Sequence, residues 1–174
     1  QFKAIILDDE TKGAIYNGML SILTKKGAQD FEIRVITGEK KPDMDHIFPK
    51  SKAKQYGAED DIDSILNRTL IFEKTNLWIT NKDPSDYLSE IMSKQNIDEQ
   101  EMRKRLSTHL ISSEAFDCML KNDFAGFIKA REKTILEEMN KMAGVAADEI
   151  PTQTSKDTPY GNVLAVRNTI RHRE

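Results

Sequence analysis

The spacing of hydrophobic residues predicts a chain that is mostly helical. In residues 10–27 the apolar positions recur three and four apart, as on one face of an α-helix, and Gly27 is placed to end it. Four later residues, each of a type that favours a helix N-terminus, precede new apolar stripes. These residues are Asp83, Asp98, Ser113 and Asp123. The last stripe predicts a long helix that ends near Gly144.

The middle of the chain predicts short strands. Residues 31–37 alternate apolar and polar side chains and include β-branched residues, which is typical of a strand. Residues 44–48 predict a second short extended segment, ended by Pro49. The charged segment 50–63 has no clear period and is predicted to be a loop, whereas 73–79 is predicted to form one or two helical turns. The expected fold class is α+β, a predominantly helical domain around a small β-containing unit.

Length and composition narrow the class of protein. A chain of 174 residues suits one domain, which we expect to span residues 1–147, with 148–174 as a C-terminal extension. No apolar run reaches the roughly 18 residues that would suggest a membrane span. A single cysteine, Cys118, excludes an internal disulfide and a cysteine-based zinc cage, and it fits a cytoplasmic protein. Because the chain starts at Gln1 without an initiator methionine, we expect it to be part of a longer protein.

Charge is unevenly distributed although the net charge is only −3. Residues 34–54 carry six basic and three acidic side chains, a local charge of +3, and an acidic stretch at 59–63 follows directly. A basic stretch beside an acidic one favours a localised anion site over a basic shell that would coat nucleic acid. A solvated surface explains the same charges equally well.

Three polar residues suggest chemistry near this stretch. Asp45 offers the hard oxygen ligand that Mg²⁺ prefers, and neutral His46 can take a proton from water near neutral pH. Neighbours on a strand point to opposite faces, so the two share a site only if the strand ends, twists or bulges there. Asn67 lies among apolar residues, where a buried amide must be fully hydrogen-bonded. The alternatives are a surface Asp-His pair and a turn or capping asparagine.

Four separated elements resemble an HNH nuclease, the ββα-metal class. In order they are Asp45-His46-Ile-Phe-Pro-Lys-Ser, Asn67-Arg-Thr-Leu-Ile, Asn76, and Asn81-Lys82-Asp-Pro-Ser-Asp-Tyr-Leu. The series is more closely similar to the C-terminal nuclease domain of GmrSD-type modification-dependent restriction proteins. This resemblance implies a motif core at 31–82 and a helical remainder at 83–147, with 50–63 as an insertion.

The resemblance also implies a role for each motif residue. His46 would be the general base that activates water. Asn67 would hold the central loop and help to orient His46. Asp45 and Asn76 would hold a divalent metal, Mg²⁺ or alternatively Mn²⁺. Two lysines would contact the phosphate of the substrate: Lys50 and Lys82. The most familiar HNH members carry histidine where this chain has Asn76.

The resemblance further implies an activity and partners. The domain would be a metal-dependent DNA endonuclease that nicks or cleaves phosphodiester bonds and restricts foreign or modified DNA, as in antiviral defence. Its partners would be DNA and an N-terminal nucleotide-hydrolysing sensor region of the same longer protein. Cutting both strands usually needs two active sites, so a homo-oligomer is also expected.

Two other classes of function remain open. One is a non-catalytic nucleic-acid-binding module that keeps the fold but does not cleave. The other is a helical protein-interaction domain built on residues 83–143, in which the motif is coincidental. Of the remaining histidines, His109 is expected to be a packed or partly exposed residue of a helix at 98–111, and His172 to lie in an exposed basic tail.

Overall fold

The computed structural model describes residues 9–32 and 43–142, and it confirms an α+β fold that is mostly helical. Its helices are α1 (Asp9–Lys25), α2 (Glu73–Ile79), α3 (Pro84–Gln95), α4 (Glu99–Ser107), α5 (Ser113–Leu120) and α6 (Phe124–Met142). Its strands are β1 (Asp43–His46) and β2 (Arg68–Ile71), and short 3-10 turns occur at Lys50–Lys52 and Ile65–Asn67. Among the described residues, no helix combines the length and apolar character that crossing a membrane requires.

The two strands form an antiparallel hairpin that is followed at once by a helix. Asp45 lies opposite Thr69 and His46 lies opposite Arg68. Only Phe72 separates β2 from α2, so the chain runs strand, strand, helix over 43–79. β1 corresponds to the predicted segment 44–48, and α2 coincides with the predicted turns at 73–79. In the other predicted strand, 31–37, residues 31–32 form no strand, and the remainder lies outside the described residues.

Helix ends follow the capping residues closely. The Asp98 carboxylate accepts a hydrogen bond from the Glu101 N–H at 2.8 Å, and that of Asp123 accepts one from the Gly126 N–H at 3.0 Å. These two predicted caps are confirmed. Gly27 follows α1 with φ at +66°, a left-handed conformation that suits glycine and ends the helix as predicted.

One predicted cap is wrong by one residue. The hydroxyl of Ser112, rather than that of Ser113, accepts a hydrogen bond from the Ala115 N–H at 3.2 Å. Ser113 is instead the first helical residue of α5. Both serines precede the same apolar stripe, so the pattern could not distinguish which one stands outside the helix. The predicted end of α6 near Gly144 lies outside the described residues.

The segment between the strands is packed, although it has little regular structure. Phe48 is fully buried and contacts Phe127 of α6, with ring centroids 5.0 Å apart. Tyr56 meets Phe48 edge-on at 5.2 Å and stacks on Phe124 at 6.4 Å. Ile62 is also buried. The predicted loop at 50–63 is therefore fixed against α6, and it holds the end of β1 in place.

Buried polar side chains fasten β2 to the helices. His109 is fully buried but lies in the turn after α4 and not within a helix as predicted, and its Nδ1 lies 2.7 Å from the hydroxyl of Thr69. Its Nε2 bonds the carbonyl of Gln29, which can only accept, so Nε2 carries the ring proton. The buried guanidinium of Arg131 donates to the carbonyl of Leu66 at 2.6 Å. The turn that leads into β2 is thus tied to α6.

Candidate functional site

The end of β1 brings the predicted general base to a specific position. His46 is the last residue of the strand, and its side chain retains 18% exposure. Its ring Nε2 lies 2.9 Å from Oδ1 of Asp63. β1 ends at His46, and both Asp45 and His46 are paired within it, opposite Thr69 and Arg68 respectively. The imidazole is held by a protein contact and still reaches the surface.

Asp63 is the centre of a small charged cluster that the sequence did not identify as functional. Besides His46, its carboxylate contacts Lys50 through Oδ2 and Arg68 through Oδ1, the latter at 3.3 Å. Arg68 stands opposite His46 in the hairpin register, which explains why both reach the same carboxylate. The only sequence signal was the acidic stretch that follows the basic one. Nothing in that stretch distinguished Asp63 from its acidic neighbours.

The surroundings of His46 favour a neutral imidazole. Burial lowers its pKa below the ordinary value, and the nearby cations Arg68 and Lys50 lower it further. The hydrogen bond and negative charge of Asp63 act in the opposite direction without reversing the shift. Burial raises the pKa of Asp63, but the hydrogen bonds from Lys50 and His46 outweigh it and leave that pKa lowered. Near neutral pH the pair is therefore an ionised carboxylate and a neutral imidazole.

Asp45 carries a partly desolvated carboxylate. It is partly buried, and no described residue donates a hydrogen bond or forms an ion pair with its side chain. Burial raises its pKa, and so does the negative charge of Asp43 two residues earlier on the same strand face. His46 and Arg68 counter this only in part. A partly desolvated carboxylate without a partner fits the oxygen ligand of a divalent metal.

Asn76 lies in the second turn of α2, the short helix that follows β2. Its side chain is partly exposed and makes no hydrogen bond with the described residues, whereas its backbone carbonyl accepts from Thr80. Its amide oxygen is thus open to a ligand. No hydrogen bond joins Asn76 to Asp45 or His46, so a shared metal would have to connect them.

Asn67 holds the central segment by three hydrogen bonds. Its fully buried amide donates to the carbonyls of Phe48 at 3.0 Å and Ile62 at 2.9 Å. Its Oδ1 accepts from the Phe48 N–H at 2.9 Å. Both amide hydrogens are used, so none is left for the imidazole of His46. The contacts match the predicted loop-holding part of its role, and any effect on His46 must be indirect.

The two predicted phosphate-binding lysines lie in different surroundings. Lys50 belongs to the Asp63 cluster and is therefore close to His46. Lys82 donates to Glu90 at 2.6 Å, and its Nζ lies 4.0 Å from the ring centroid of Trp78. Trp78 itself packs partly buried against the core. Of the two lysines, the structure brings only Lys50 to the candidate base.

No group of three or more His, Cys, Asp and Glu side chains in residues 9–32 and 43–142 is arranged to hold a metal ion. The predicted site uses one carboxylate and one asparagine amide, which is not a group of that kind. Asp45 and Asn76 each offer an unengaged oxygen, and both ligand types suit Mg²⁺, which keeps several waters when bound. By donor type alone, these two side chains suit the predicted metal.

Comparison with known proteins identifies a relative of unknown role. An uncharacterized protein of Methanocaldococcus jannaschii is 32% identical over 143 residues, which is 71% of this chain and 25% of that protein. The chain thus spans about a quarter of the length of this curated relative. No family model matches the chain, and no solved structure matches it. The matched region is one part of a longer archaeal protein, and the comparisons assign it no activity.

Proposed function

We propose that this domain is a metal-dependent DNA endonuclease of the HNH class. The observation that carries the proposal is the adjacency, at the end of β1, of a partly buried His46 with a lowered pKa and an Asp45 whose carboxylate has no hydrogen-bond or ion-pair partner among the described residues. Asn76 follows on α2, so base and candidate ligands occur on a strand–strand–helix unit in the order that the resemblance implies. If Asp45 had a purely structural role, its carboxylate would be expected to have a hydrogen-bond or ion-pair partner. Among the described residues it has none.

His46 would act as a general base on water. As its ring nitrogen takes the proton, the water oxygen forms a bond to phosphorus in line with the 3′ oxygen. The phosphorus–oxygen bond to that 3′ oxygen then breaks, and the leaving oxygen takes the electron pair and a proton from solvent. Positioned general bases typically contribute about 10²–10⁴ in rate.

The candidate metal ligands and the candidate DNA contacts are different side chains. Asp45 and Asn76 would bind Mg²⁺ or Mn²⁺ through their oxygens, and the metal would offset charge that grows on the phosphate. Lys50 and Arg68 lie beside the base, where both contact Asp63, and they would contact phosphate oxygens of DNA. Lys82 would approach DNA only if it leaves Glu90 and Trp78.

The cellular role we propose is restriction of foreign or modified DNA in the cytoplasm. Recognition of the modification would belong to an N-terminal nucleotide-hydrolysing region of the same longer protein. The matched region is about a quarter of the length of the archaeal relative, so that protein contains further regions besides this one. Pairing of two copies would supply the second active site that double-strand cutting needs.

Nicking of supercoiled plasmid with Mg²⁺ or Mn²⁺ tests the proposal. We expect the wild-type chain to nick, and His46→Ala to lose at least about 100-fold in rate while it still binds Mn²⁺. Asp60→Asn, which removes an exposed charge from the neighbouring segment, serves as the control and should nick normally. Retardation of DNA by the wild type without nicking would favour the non-catalytic binding module. A wild type that neither nicks nor retards DNA would exclude both the nuclease and the binding module.

A further inference from the structure

We propose that Asp63 is a positioning residue that holds His46 in the tautomer whose Nδ1 is free to take a proton from water. Asp63 lies 17 residues from His46 in the sequence, in the predicted insertion 50–63 and outside the four motif elements. The inference rests on the proposed function, because it assigns a partner to the base of that site. It also predicts which ring nitrogen of His46 carries the proton in the metal-free protein, and this can be tested without a cleavage assay.

The contact between the two side chains fixes the ring proton. Oδ1 of Asp63 lies 2.9 Å from Nε2 of His46. An ionised carboxylate only accepts hydrogen bonds, so Nε2 must be the donor. In a neutral imidazole the other nitrogen, Nδ1, then carries the lone pair. No described residue bonds to Nδ1, which leaves it open to water.

Two cations keep the Asp63 carboxylate facing the ring. Arg68 contacts the same oxygen as His46, and Lys50 contacts the other oxygen. Because both oxygens are engaged, these contacts oppose rotation of the carboxylate away from Nε2 of His46. Arg68 also donates to the carbonyl of Met44 at 3.3 Å, so the guanidinium is itself attached to β1. The cluster therefore links both strands to the imidazole.

The backbone at Asp63 is fixed by Asn67. Asn67 donates to the carbonyl of Ile62, the residue directly before Asp63, and Ile62 is itself buried. This gives a physical route for the orienting role that the resemblance implies for Asn67. The amide does not contact His46 directly; it holds the residue that does.

Stability alone does not account for the arrangement. The side chain of Asp63 is 49% exposed, and exposed ion pairs contribute little to the stability of a fold. Loss of its charge should therefore leave the fold intact. Its loss would also release Lys50 and Arg68 toward phosphate, so DNA binding should stay equal or strengthen. A positioning role predicts a lower kcat with an unchanged or lower KM.

The experiment compares Asp63→Asn with the wild type by nitrogen NMR of the His46 ring and by plasmid nicking. In the metal-free, DNA-free wild type we expect the neutral ring to carry its proton on Nε2. The asparagine amide can donate to Nε2 instead, so in Asp63→Asn the proton should move at least partly to Nδ1. In the nicking assay kcat should fall about tenfold or more.

Two further variants separate positioning from loss of charge. Asp60→Asn makes the same charge change at an exposed neighbour and should alter neither the tautomer nor kcat. Asp63→Glu keeps an acceptor and should retain the wild-type tautomer with part of the activity. The proposal is overturned if the wild-type proton lies on Nδ1, or if Asp63→Asn changes neither tautomer nor kcat. A wild-type chain that never nicks refutes the nuclease function, while the tautomer measurement still decides the role of Asp63.

Discussion

The buried carboxylate of Asp30 accepts a hydrogen bond from the hydroxyl of Thr75 at 2.7 Å, across 45 positions of the chain. It also accepts one from the N–H of Phe72 at 2.8 Å. Both donors lie at the start of α2, the helix that carries Asn76. A side chain from outside the motif therefore caps the helix that presents a candidate metal ligand.

Removing this carboxylate should affect both stability and metal binding. Asp30→Ala leaves the Phe72 N–H and the Thr75 hydroxyl without their acceptor, and each unsatisfied buried group costs about 1–3 kcal/mol. We expect the free energy of unfolding in urea to fall by several kcal/mol and Mn²⁺ affinity to weaken in calorimetry. Asp98→Ala removes a cap from α4 and should cost only about 1 kcal/mol, with Mn²⁺ affinity unchanged. Equal Mn²⁺ binding by the two variants would contradict this role.

Asn67 and Asn76 of the motif should respond differently to substitution. Asn67→Ala removes three buried hydrogen bonds and should lower the free energy of unfolding by roughly 2–4 kcal/mol. Asn76→Ala, at a partly exposed site, should change stability by less than about 0.5 kcal/mol but should abolish the stabilisation that Mn²⁺ gives. Thermal melting with and without Mn²⁺ measures both effects. A large loss of stability in Asn76→Ala would show that its role is structural.

Asp45 should be unfavourable for the metal-free fold. Its pKa is raised by burial and by Asp43, so the folded protein disfavours its ionised form. This destabilisation is absent below the unfolded pKa and grows as pH rises through that value. At neutral pH, Asp45→Asn should therefore melt slightly higher than the wild type without metal, and it should gain little from Mn²⁺. A lower melting temperature for the metal-free variant would indicate a hidden stabilising partner.

His109 should make the fold sensitive to mild acid. Burial, with a smaller contribution from the charge of Arg131, lowers its pKa to about 4, although the bond to Gln29 opposes the shift. The unfolded chain binds a proton at this residue below about pH 6.5 and the folded chain does not, so stability falls between about pH 6.5 and 4. One group shifted by this amount contributes up to about 3 kcal/mol. Urea unfolding of His109→Gln should show a flatter pH profile over that window.

His46 also has a lowered pKa and would add to the same profile. His46→Gln is therefore the matched control, because it removes a partly exposed imidazole while His109 stays in place. We expect a smaller flattening for His46→Gln than for His109→Gln. The reverse order would show that the exposed histidine dominates.

Local patterns explain what the sequence could predict. The caps at Asp98 and Asp123 and the stop at Gly27 depend on residues a few positions apart, so the sequence reveals them directly. The strand at 68–71 was not predicted, because three of its four residues are buried and the alternation that marks a half-buried strand is missing. Its identity as a strand depends on pairing with β1, which lies more than 20 positions earlier.

Other features of the site depend on contacts that sequence spacing does not encode. Asp83 stands at the start of α3 as predicted, but its carboxylate contacts Lys52 and Tyr56 instead of the helix N–H groups. Asp63 reaches His46 only because the segment between the strands folds back against α6. The sequence pattern indicated that the candidate catalytic residues lie near β1. The choice of Asp63 as the carboxylate that contacts His46 depends on the fold.

The side-chain hydrogen bonds of Asn67 join the two ends of the segment that lies between the strands. Its amide group bonds both the N–H and the carbonyl of Phe48, so the two ends of the segment are joined to each other. Between these ends, Glu59 and Asp60 face solvent. Because Ala58 and Ile62 on either side are buried and bonded to each other across this turn, changes of side chain at 59 and 60 are better tolerated than changes of length. The same turn is a suitable position for a small fluorescent label attached to a substituted side chain.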